Sequence, residues 1–238
     1  MGMRIYIIRH GQPDYASDSL TPRGRAEAEA LADYLPRLGL TALYCSPLGR
    51  ARETCMACAG RLGLPVAELD WARELTGVYY QLEGFGKAAP FTVPGEVMYR
   101  LRPTPDYEGW EQGAYFDDPR LHAQVRRMEQ GSDNLLARYG YVREGAVYRV
   151  AGQAEGERIA VFCHQGIAAT WISYLLHMPY QAGWAGLWQA CTSVTEITME
   201  RRSAGYAVPR MLKMGSTAHL ELAGLDSDEF GLAVNVTG

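Results

Sequence analysis

The chain has 238 residues, with 23 basic and 27 acidic side chains and a formal net charge of −4. Its length fits one large domain or one domain with an insertion. Hydrophobic residues make up 47% of the chain and charged residues 21%, so the chain can form a full hydrophobic core. This composition excludes a disordered, collagen-like or coiled-coil chain. A mildly acidic chain lacks the basic surface typical of nucleic-acid-binding proteins, so we expect no nucleic-acid partner.

The first part of the chain alternates between predicted strands and helices. Short apolar runs rich in β-branched residues are typical of buried strands. Thr21 and Pro22 suit the cap and the first turn of a helix, and Gly39 and Gly63 suit helix ends. The predicted elements are a strand over residues 4–8, a helix over 21–39, a strand over 41–45 and a helix over 46–63.

The same alternation returns after residue 155. A buried strand is predicted over residues 158–163, a helix over 166–176, and a further strand over 192–199. Strands that alternate with helices predict an α/β fold, in which helices cover a mostly parallel sheet. We therefore expect a three-layer α/β/α sandwich.

Residues 79–145 depart from this pattern, because they are rich in proline and aromatic residues and contain one predicted helix, over 121–139. We interpret them as a cap-like insertion packed over the edge of the sheet, and a loop-rich extension of the core is the alternative. The prediction is a single domain over residues 1–238, with a core of residues 1–78 and 146–238.

Polar residues follow three of the predicted strands. Arg9 and His10 come directly after the first strand, Arg50 comes shortly after the second, and His164 follows the third. Ligands of open α/β sheets bind at the carboxyl ends of the strands, where helix N-termini favour anions. Two arginines and two histidines at this edge predict a positively charged site of phosphate size.

These residues belong to four sequence blocks that occur in a fixed order, each at a predicted strand end or helix start. The blocks are Arg9-His10-Gly11, Leu20-Thr21-Pro22-Arg23-Gly24, the run from Ser46 to Thr54, and His164-Gln165-Gly166. Together they resemble the histidine phosphatase superfamily, in the branch typified by cofactor-dependent phosphoglycerate mutase. The resemblance covers roughly residues 3–85 and 155–200, and it implies phosphoryl transfer.

The resemblance also implies a role for each polar residue. His10 would be the nucleophile that takes the phosphoryl group, while Arg9, Arg50 and His164 would hold its oxygens. Neutral imidazole is a good nucleophile near pH 7, so we expect His10 to be neutral, with its other nitrogen donating to an acceptor such as a backbone carbonyl. His164 is expected to be a cation, which a phosphate dianion would favour.

The leaving alkoxide needs a proton, and the family places an acidic residue after the second helix. Glu74 matches this position, although Ala72 stands where the family usually has leucine. We predict that Glu74 is the general acid and afterwards the base for water, with Glu83 as the second candidate. The alternative for Glu74 is an exposed partner of Arg73.

Two residues in the loop after His10 depart from the family pattern. Pro13 removes a backbone donor, and Ala16 removes an amide side chain that could contact phosphate. We expect phosphate affinity to be reduced or to be rebuilt from Gln12 or Gln165, which are therefore further candidates for phosphate binding. Gln165 itself stands where the family often has glycine.

We expect no metal and no cofactor. Cys55 and Cys58 fall on the apolar stripe of one predicted helix, where core packing is the simpler interpretation. Histidines 10, 164 and 219 have no carboxylate partner at zinc-site spacing.

No apolar run reaches the ~20 residues of a membrane span, and the N-terminus does not resemble a signal peptide. We expect a cytoplasmic protein with no membrane partner, and the sequence makes no prediction of its oligomeric state.

The predicted function is a metal-independent phosphatase that hydrolyses a small phosphomonoester through a phosphohistidine on His10. One alternative is a catalytically weak relative that binds a phosphorylated ligand or a phosphoprotein, which Pro13 and Ala16 leave open. The other is a mutase of the phosphoglycerate type. The predicted insertion is aromatic rather than basic, which favours a substrate with an apolar or ring-bearing leaving group.

Overall fold

The structure is a computed structural model that describes residues 2–100, 107–113, 115–152 and 156–232. The strands are β1 (Arg4–Arg9), β2 (Pro13–Asp14), β3 (Ser19–Leu20), β4 (Ala42–Cys45), β5 (Val66–Glu68), β6 (Tyr80–Leu82), β7 (Gly86–Ala88), β8 (Tyr141–Glu144), β9 (Val147–Val150), β10 (Arg158–Cys163), β11 (Val194–Glu200) and β12 (Tyr206–Ser216). The helices are α1 (Pro22–Tyr34), α2 (Gly49–Leu62), α3 (Gly95–Arg100), α4 (Pro119–Arg138), α5 (Gln165–Leu176), α6 (Tyr180–Gly186) and α7 (Ala218–Leu222). Among the residues described, no helix is both long enough and apolar enough to cross a membrane.

A central sheet of eight strands has the order β5-β4-β10-β1-β11-β12-β9-β8. The first four strands of this order run parallel, and the strands from β11 onward pair antiparallel. The predicted α/β fold with a parallel core is therefore confirmed. The antiparallel half extends that core on one side, and the sequence pattern predicted only β11 of it.

Strand β1 lies in the middle of the sheet, and its side chains alternate between two hydrophobic layers. Ile5 and Ile7 pack into one core cluster, whereas Tyr6 and Ile8 pack into the other. Helices α1 and α2 cover the second cluster, and α4 and α5 cover the first. Because side chains of a strand point alternately to opposite faces, this apolar run needs a helical layer on each side, which gives the predicted three-layer sandwich.

The helix starts and ends follow the predicted capping residues with two shifts, the first being that α1 ends at Tyr34 and a 3₁₀ turn over Leu35–Leu38 leads to Gly39. Thr21 accepts a hydrogen bond from the Gly24 amide at 3.0 Å, so α1 begins as expected. Helix α2 begins at Gly49, three residues after the predicted start, because Leu48 is still extended. Cys55 and Cys58 on α2 are fully buried, as core packing predicts.

Residues 79–145 contain two different kinds of structure. Their second part, α4 and β8, belongs to the sheet and its helical layer: β8 pairs with β9, and Trp171 of α5 donates to the Ser132 hydroxyl of α4 at 2.7 Å. Their first part, from Tyr79 to Glu96, provides one wall of the cavity described below. The division of the chain into a core and an insertion stays a prediction.

Candidate active site

The carboxyl ends of three neighbouring parallel strands bring the predicted residues together. Arg9 ends β1 and His10 follows it, Arg50 lies in the first turn of α2 after β4, and His164 connects β10 to α5. A cavity of about 1020 Å³ opens at this edge of the sheet, and its wall includes Arg9, His10, Arg50 and Glu74. The ring of His164 lies behind that of His10, with 5.0 Å between their centroids.

The His10 imidazole is buried and held in one orientation. Its Nδ1 lies 2.7 Å from the Gly11 carbonyl oxygen, so Nδ1 carries the hydrogen and donates it. Burial, followed by the charge of Arg9, lowers the pKa of His10 well below its ordinary value, so the ring is neutral at pH 7. Nε2 therefore keeps its lone pair, and the Arg50 Nε donates to it at 3.3 Å. This geometry is the one expected of a nucleophilic imidazole.

His164 is fully buried and its ring is hydrogen-bonded. Its Nε2 lies 2.8 Å from the Ser46 hydroxyl, and burial, then the neighbouring His10 and the two arginines, lowers the pKa of His164 well below its ordinary value. Without a phosphate the buried ring is neutral at pH 7, and the cation expected beside a bound phosphate dianion stays a prediction. A phosphate dianion beside it would raise this pKa again.

Two buried polar atoms at the site have no hydrogen-bond partner among the described residues, namely Arg9 Nε and His164 Nδ1. The rest of the Arg9 guanidinium is fixed, since Nη1 donates to the Gln189 carbonyl at 2.6 Å and to the Phe230 carbonyl at 3.2 Å. Buried polar groups are almost always paired, so two unpaired ones at the same strand ends indicate that the site is built for a polar ligand. Together with Arg50, they favour an anion.

Glu74 lines the same cavity at the N-terminus of α5. Its Oε1 accepts hydrogen bonds from the Leu75 amide at 2.9 Å and the Ile167 amide at 2.8 Å, and its Oε2 accepts one from the Gly166 amide at 3.0 Å. Burial raises the pKa of Glu74, while these three amides and the charge of Arg50 act in the opposite direction. The carboxyl group is thus rigidly placed and closer to a proton-carrying state than an exposed glutamate.

The two alternatives for this acid are placed elsewhere. Arg73, the suggested partner of Glu74, forms its ion pair with Asp70 at 2.6 Å. Glu83 is exposed on the turn between β6 and β7 and does not belong to the cavity wall. Of the two candidate acids, the structure therefore brings only Glu74 to the cavity.

The two glutamines predicted to rebuild phosphate affinity already have other partners. The amide of Gln12 accepts from the Thr21 hydroxyl at 2.8 Å and donates to Asp228 at 3.1 Å, and Gln12 does not line the cavity. Gln165 does line it, but its Nε2 donates to a carbonyl at 2.7 Å and its Oε1 accepts from an amide at 2.9 Å, both in the segment 187–189. Each side-chain NH2 group uses one of its two hydrogens in these contacts, so phosphate binding by the two glutamines stays a prediction.

The rest of the cavity wall includes six aromatic rings, and sequence reasoning anticipated only part of them. The region rich in aromatic residues was predicted to cover the site, and it contributes three rings. Three more come from the loop after His10 and from the segment between α5 and β11, where no periodic pattern marks them. The six rings belong to Tyr15, Tyr79, Phe85, Phe91, Trp184 and Trp188.

Comparison with known proteins agrees with the sequence blocks. Residues 5–87 match the model of the histidine phosphatase superfamily, branch 1. This match covers the first three sequence blocks, with Arg9, His10 and Arg50, and less than half of the chain. A probable phosphatase of Schizosaccharomyces pombe is 33% identical over 92 residues, which cover 34% of this chain and 43% of that protein. The match therefore spans less than half the length of that protein.

Similarity in fold to solved structures covers most of the chain. A phosphoserine phosphatase mutant from Entamoeba histolytica, in complex with phosphoserine, has a TM-score of 0.61 at 20% identity and covers 92% of this chain and 99% of its own. The mycobacterial glucosyl-3-phosphoglycerate phosphatase has a TM-score of 0.59 at 19% identity, covering 91% and 100%. At such low identities these two matches show a shared fold.

A third buried histidine supports the backbone behind the site. His219 Nε2 lies 2.9 Å from the Thr192 hydroxyl, and the Thr192 amide donates to the His10 carbonyl at 3.2 Å. Burial lowers the pKa of His219 from 6.5 to about 4. The ring is neutral in the folded state, whereas the unfolded chain takes up a proton below pH 6.5, so its stabilising contribution is complete above pH 6.5 and falls as the pH decreases toward 4.

We expect this one residue to change the free energy of unfolding by roughly 2 kcal/mol between pH 7.5 and pH 5. His219→Gln removes the titration and keeps a hydrogen-bonding side chain. Urea unfolding of both proteins at the two pH values measures the effect, and the wild type should lose more stability on acidification than the variant. An equal loss in both would show that His219 is not held neutral by burial.

Proposed function

We propose that this protein is a metal-independent phosphatase that hydrolyses a phosphomonoester through a phosphohistidine on His10. The observation that carries the proposal is the protonation and placement of His10. Its Nδ1 donates a hydrogen bond to the Gly11 carbonyl, and its Nε2 keeps a lone pair beside Arg50. His10 also lines the cavity. Similarity to phosphatases in sequence and fold supports the same reaction class.

In the first step, His10 Nε2 attacks phosphorus, and an N–P bond forms as the ester P–O bond breaks. Arg9 and Arg50 supply positive charge to the phosphoryl oxygens, where the negative charge of the transition state is spread. Glu74 gives its proton to the leaving oxygen, which departs as an alcohol. In the second step, Glu74 takes a proton from water, the water oxygen attacks phosphorus, and the N–P bond breaks to release phosphate.

The contacts of Glu74 indicate which oxygen carries the proton. Oε1 accepts two backbone hydrogen bonds, whereas Oε2 accepts one, from the Gly166 amide. Oε2 therefore has more capacity left for a proton. We assign the proton transfer to this oxygen, and the three amides keep the carboxyl group in place through both steps.

The cavity supports a substrate class as well as a reaction. Its volume of about 1020 Å³ is far larger than a phosphoryl group requires, and six aromatic rings line it. An aromatic wall of this kind binds apolar or ring-bearing groups well. The similar structures include a complex with phosphoserine and a glucosyl-3-phosphoglycerate phosphatase, so small phosphorylated molecules are the substrates to screen first. A cytoplasmic location is part of this proposal.

A generic aryl phosphate tests the proposal against the binding alternative. A phosphatase releases phosphate from this ester over many turnovers, because the leaving group needs little assistance. A relative that only binds phosphorylated ligands shows affinity for phosphate without multiple turnovers. Steady phosphate release by the purified protein is the expected result, and binding without release would favour the alternative.

We expect hydrolysis rather than isomerisation. A mutase has to keep its phosphohistidine from water and needs extra cations for the carboxylate of a small substrate, but the wall contributed by residues 79–96 is mostly aromatic and apolar, with Lys87 as its cation. In a coupled assay, interconversion of 2- and 3-phosphoglycerate should be negligible even when bisphosphoglycerate is supplied. Robust interconversion that depends on bisphosphoglycerate would contradict the phosphatase assignment.

Activity is expected to survive EDTA. Two-metal phosphatases take the charge for the transition state from their ions, whereas here two arginines at the site can supply it. The described part of the chain contains no cluster of three or more histidine, cysteine or acidic side chains that could hold a metal. Phosphate release before and after EDTA treatment should agree within about twofold. Loss of activity that a divalent cation restores would overturn this part of the proposal.

A further inference from the structure

We propose that Asp18 is a positioning residue for the phosphoryl-transfer reaction, because it holds the Arg50 guanidinium in its working orientation. The inference rests on the proposed function, in which Arg50 contacts the transferring phosphoryl group. It adds a residue that neither the sequence blocks nor the predicted site included. Asp18 lies in the loop between β2 and β3 and is not part of the cavity wall.

The Asp18 carboxylate bridges two groups at the start of α2. Its Oδ1 accepts a hydrogen bond from Arg50 Nη1 at 2.5 Å, and its Oδ2 accepts one from the Gly49 amide at 2.7 Å. The first contact is a charge-assisted hydrogen bond, and the second caps the first turn of the helix that carries Arg50. One carboxylate thus fixes both the side chain and the backbone from which it extends.

The backbone of Asp18 is shaped for this contact. Its φ of 48° lies in the left-handed region, which aspartate tolerates better than most residues. A Cβ at position 49 would lie 2.1 Å from the Asp18 carbonyl oxygen, so glycine at that position permits the close approach of the loop to α2. This packing leaves the carboxylate little freedom to move away from Arg50.

The guanidinium of Arg50 is restrained from three directions. Asp18 holds Nη1, Nε donates to His10 Nε2 at 3.3 Å, and the ring of Tyr15 lies 5.5 Å from the guanidinium carbon. Among the described residues, Nη2 has no hydrogen-bond partner, which leaves this nitrogen for a phosphoryl oxygen. Tyr15 and Asp18 both belong to the loop between β2 and β3. The segment after His10 departs from the family pattern at Pro13 and Ala16, but through these two residues it still orients Arg50, a candidate phosphate-binding residue.

Stability and activity should respond differently to loss of this contact. The Asp18 side chain is 42% exposed and that of Arg50 is 10% exposed, so water screens part of the ion pair, and its loss together with the helix cap should lower stability only modestly. Its effect on catalysis is larger, because a small displacement of a group that contacts the transition state can cost about 10²-fold in rate. A positioning role therefore predicts a kinetic defect in a normally folded protein.

The test compares Asp18→Ala with Asp14→Ala in the wild-type background. Asp14 ends β2 directly before the same loop, and its carboxylate accepts hydrogen bonds from the Ala16 amide at 3.0 Å and the Ser17 hydroxyl at 2.8 Å. With an aryl phosphate, Asp18→Ala should lower kcat by about 10- to 100-fold with KM changed by less than about threefold. Asp14→Ala should stay within about twofold of the wild type. Equal defects in both would assign the effect to loop structure and overturn the inference.

A double-mutant cycle identifies the residue through which Asp18 acts. In the Arg50→Ala background, Asp18→Ala should have no further effect on kcat/KM, because the group that it positions is absent. A full additional loss would contradict the proposal. Asp18→Asn serves as the second variant if Asp18→Ala does not fold, and its amide oxygen should preserve part of the rate. A wild type without phosphatase activity would refute the proposed function itself, whereas an active wild type matched by Asp18→Ala would refute only this inference.

Discussion

Replacing His10 with alanine is expected to lower the turnover of a phosphomonoester by at least about 10⁴-fold, as removal of a covalent nucleophile typically does. The physical reason is that His10 is the imidazole that lines the cavity, whereas His164 and Cys163 do not line it and burial raises the pKa of the Cys163 thiol. Steady-state kinetics with one aryl phosphate and one alkyl phosphate measures the loss.

The control for this variant is another buried histidine. His122 on α4 places its Nε2 2.7 Å from the Phe116 carbonyl oxygen and does not line the cavity. His122→Gln should retain most of the turnover, and His10→Ala should still bind inorganic phosphate because Arg9 and Arg50 remain. Wild-type turnover in His10→Ala would contradict the proposed mechanism.

The second large effect is expected from Glu74→Gln, and it should depend on the leaving group. Alkyl esters leave as basic alkoxides and need a proton in the transition state, so their hydrolysis should slow by about 10²- to 10⁴-fold. Activated aryl phosphates leave as stable anions and should slow by less than about tenfold. The slope of log kcat/KM against leaving-group pKa, measured over a series of esters, should therefore become steeper in the variant.

Glu83→Gln is the matched control, because Glu83 is an exposed acid outside the cavity and was the second candidate in the sequence. Its slope should equal that of the wild type. An equal loss on all esters in Glu74→Gln would show that Glu74 only orders the N-terminus of α5, through its contacts with Gly166 and Ile167. A steeper slope in Glu83→Gln would transfer the acid role to that residue.

The sequence could predict the parallel core and the residues that follow its strands, because both depend on short local patterns. An apolar run such as residues 4–8 has to be buried on both faces, and polar residues directly after it then lie at the strand end. The same reasoning placed Arg9, His10 and His164 at one edge of the sheet, where the structure has them. Their proximity in space follows from the parallel direction of the strands that precede them.

Features that depend on long-range packing could not be predicted in this way. The neutral state of His164 results from burial against His10 and two arginines that come from separate segments. Gln12 was a candidate for phosphate binding, but its side-chain NH2 group donates a hydrogen bond to Asp228, which lies more than two hundred positions away in the chain. The contact of Asp18 with Arg50 likewise depends on a close approach between a loop and a helix start that no periodic pattern indicates.

The central claim is a phosphoryl group on His10, and trapping that intermediate tests it most directly. Enzyme mixed with ³²P-labelled substrate is quenched in alkali within milliseconds, and the labelled peptide is identified by mass spectrometry. The proposed mechanism predicts a label that is stable in alkali, labile in acid, approaches one phosphoryl group per chain and maps to His10. Turnover with no labelled histidine, or with the label on another residue, would contradict it.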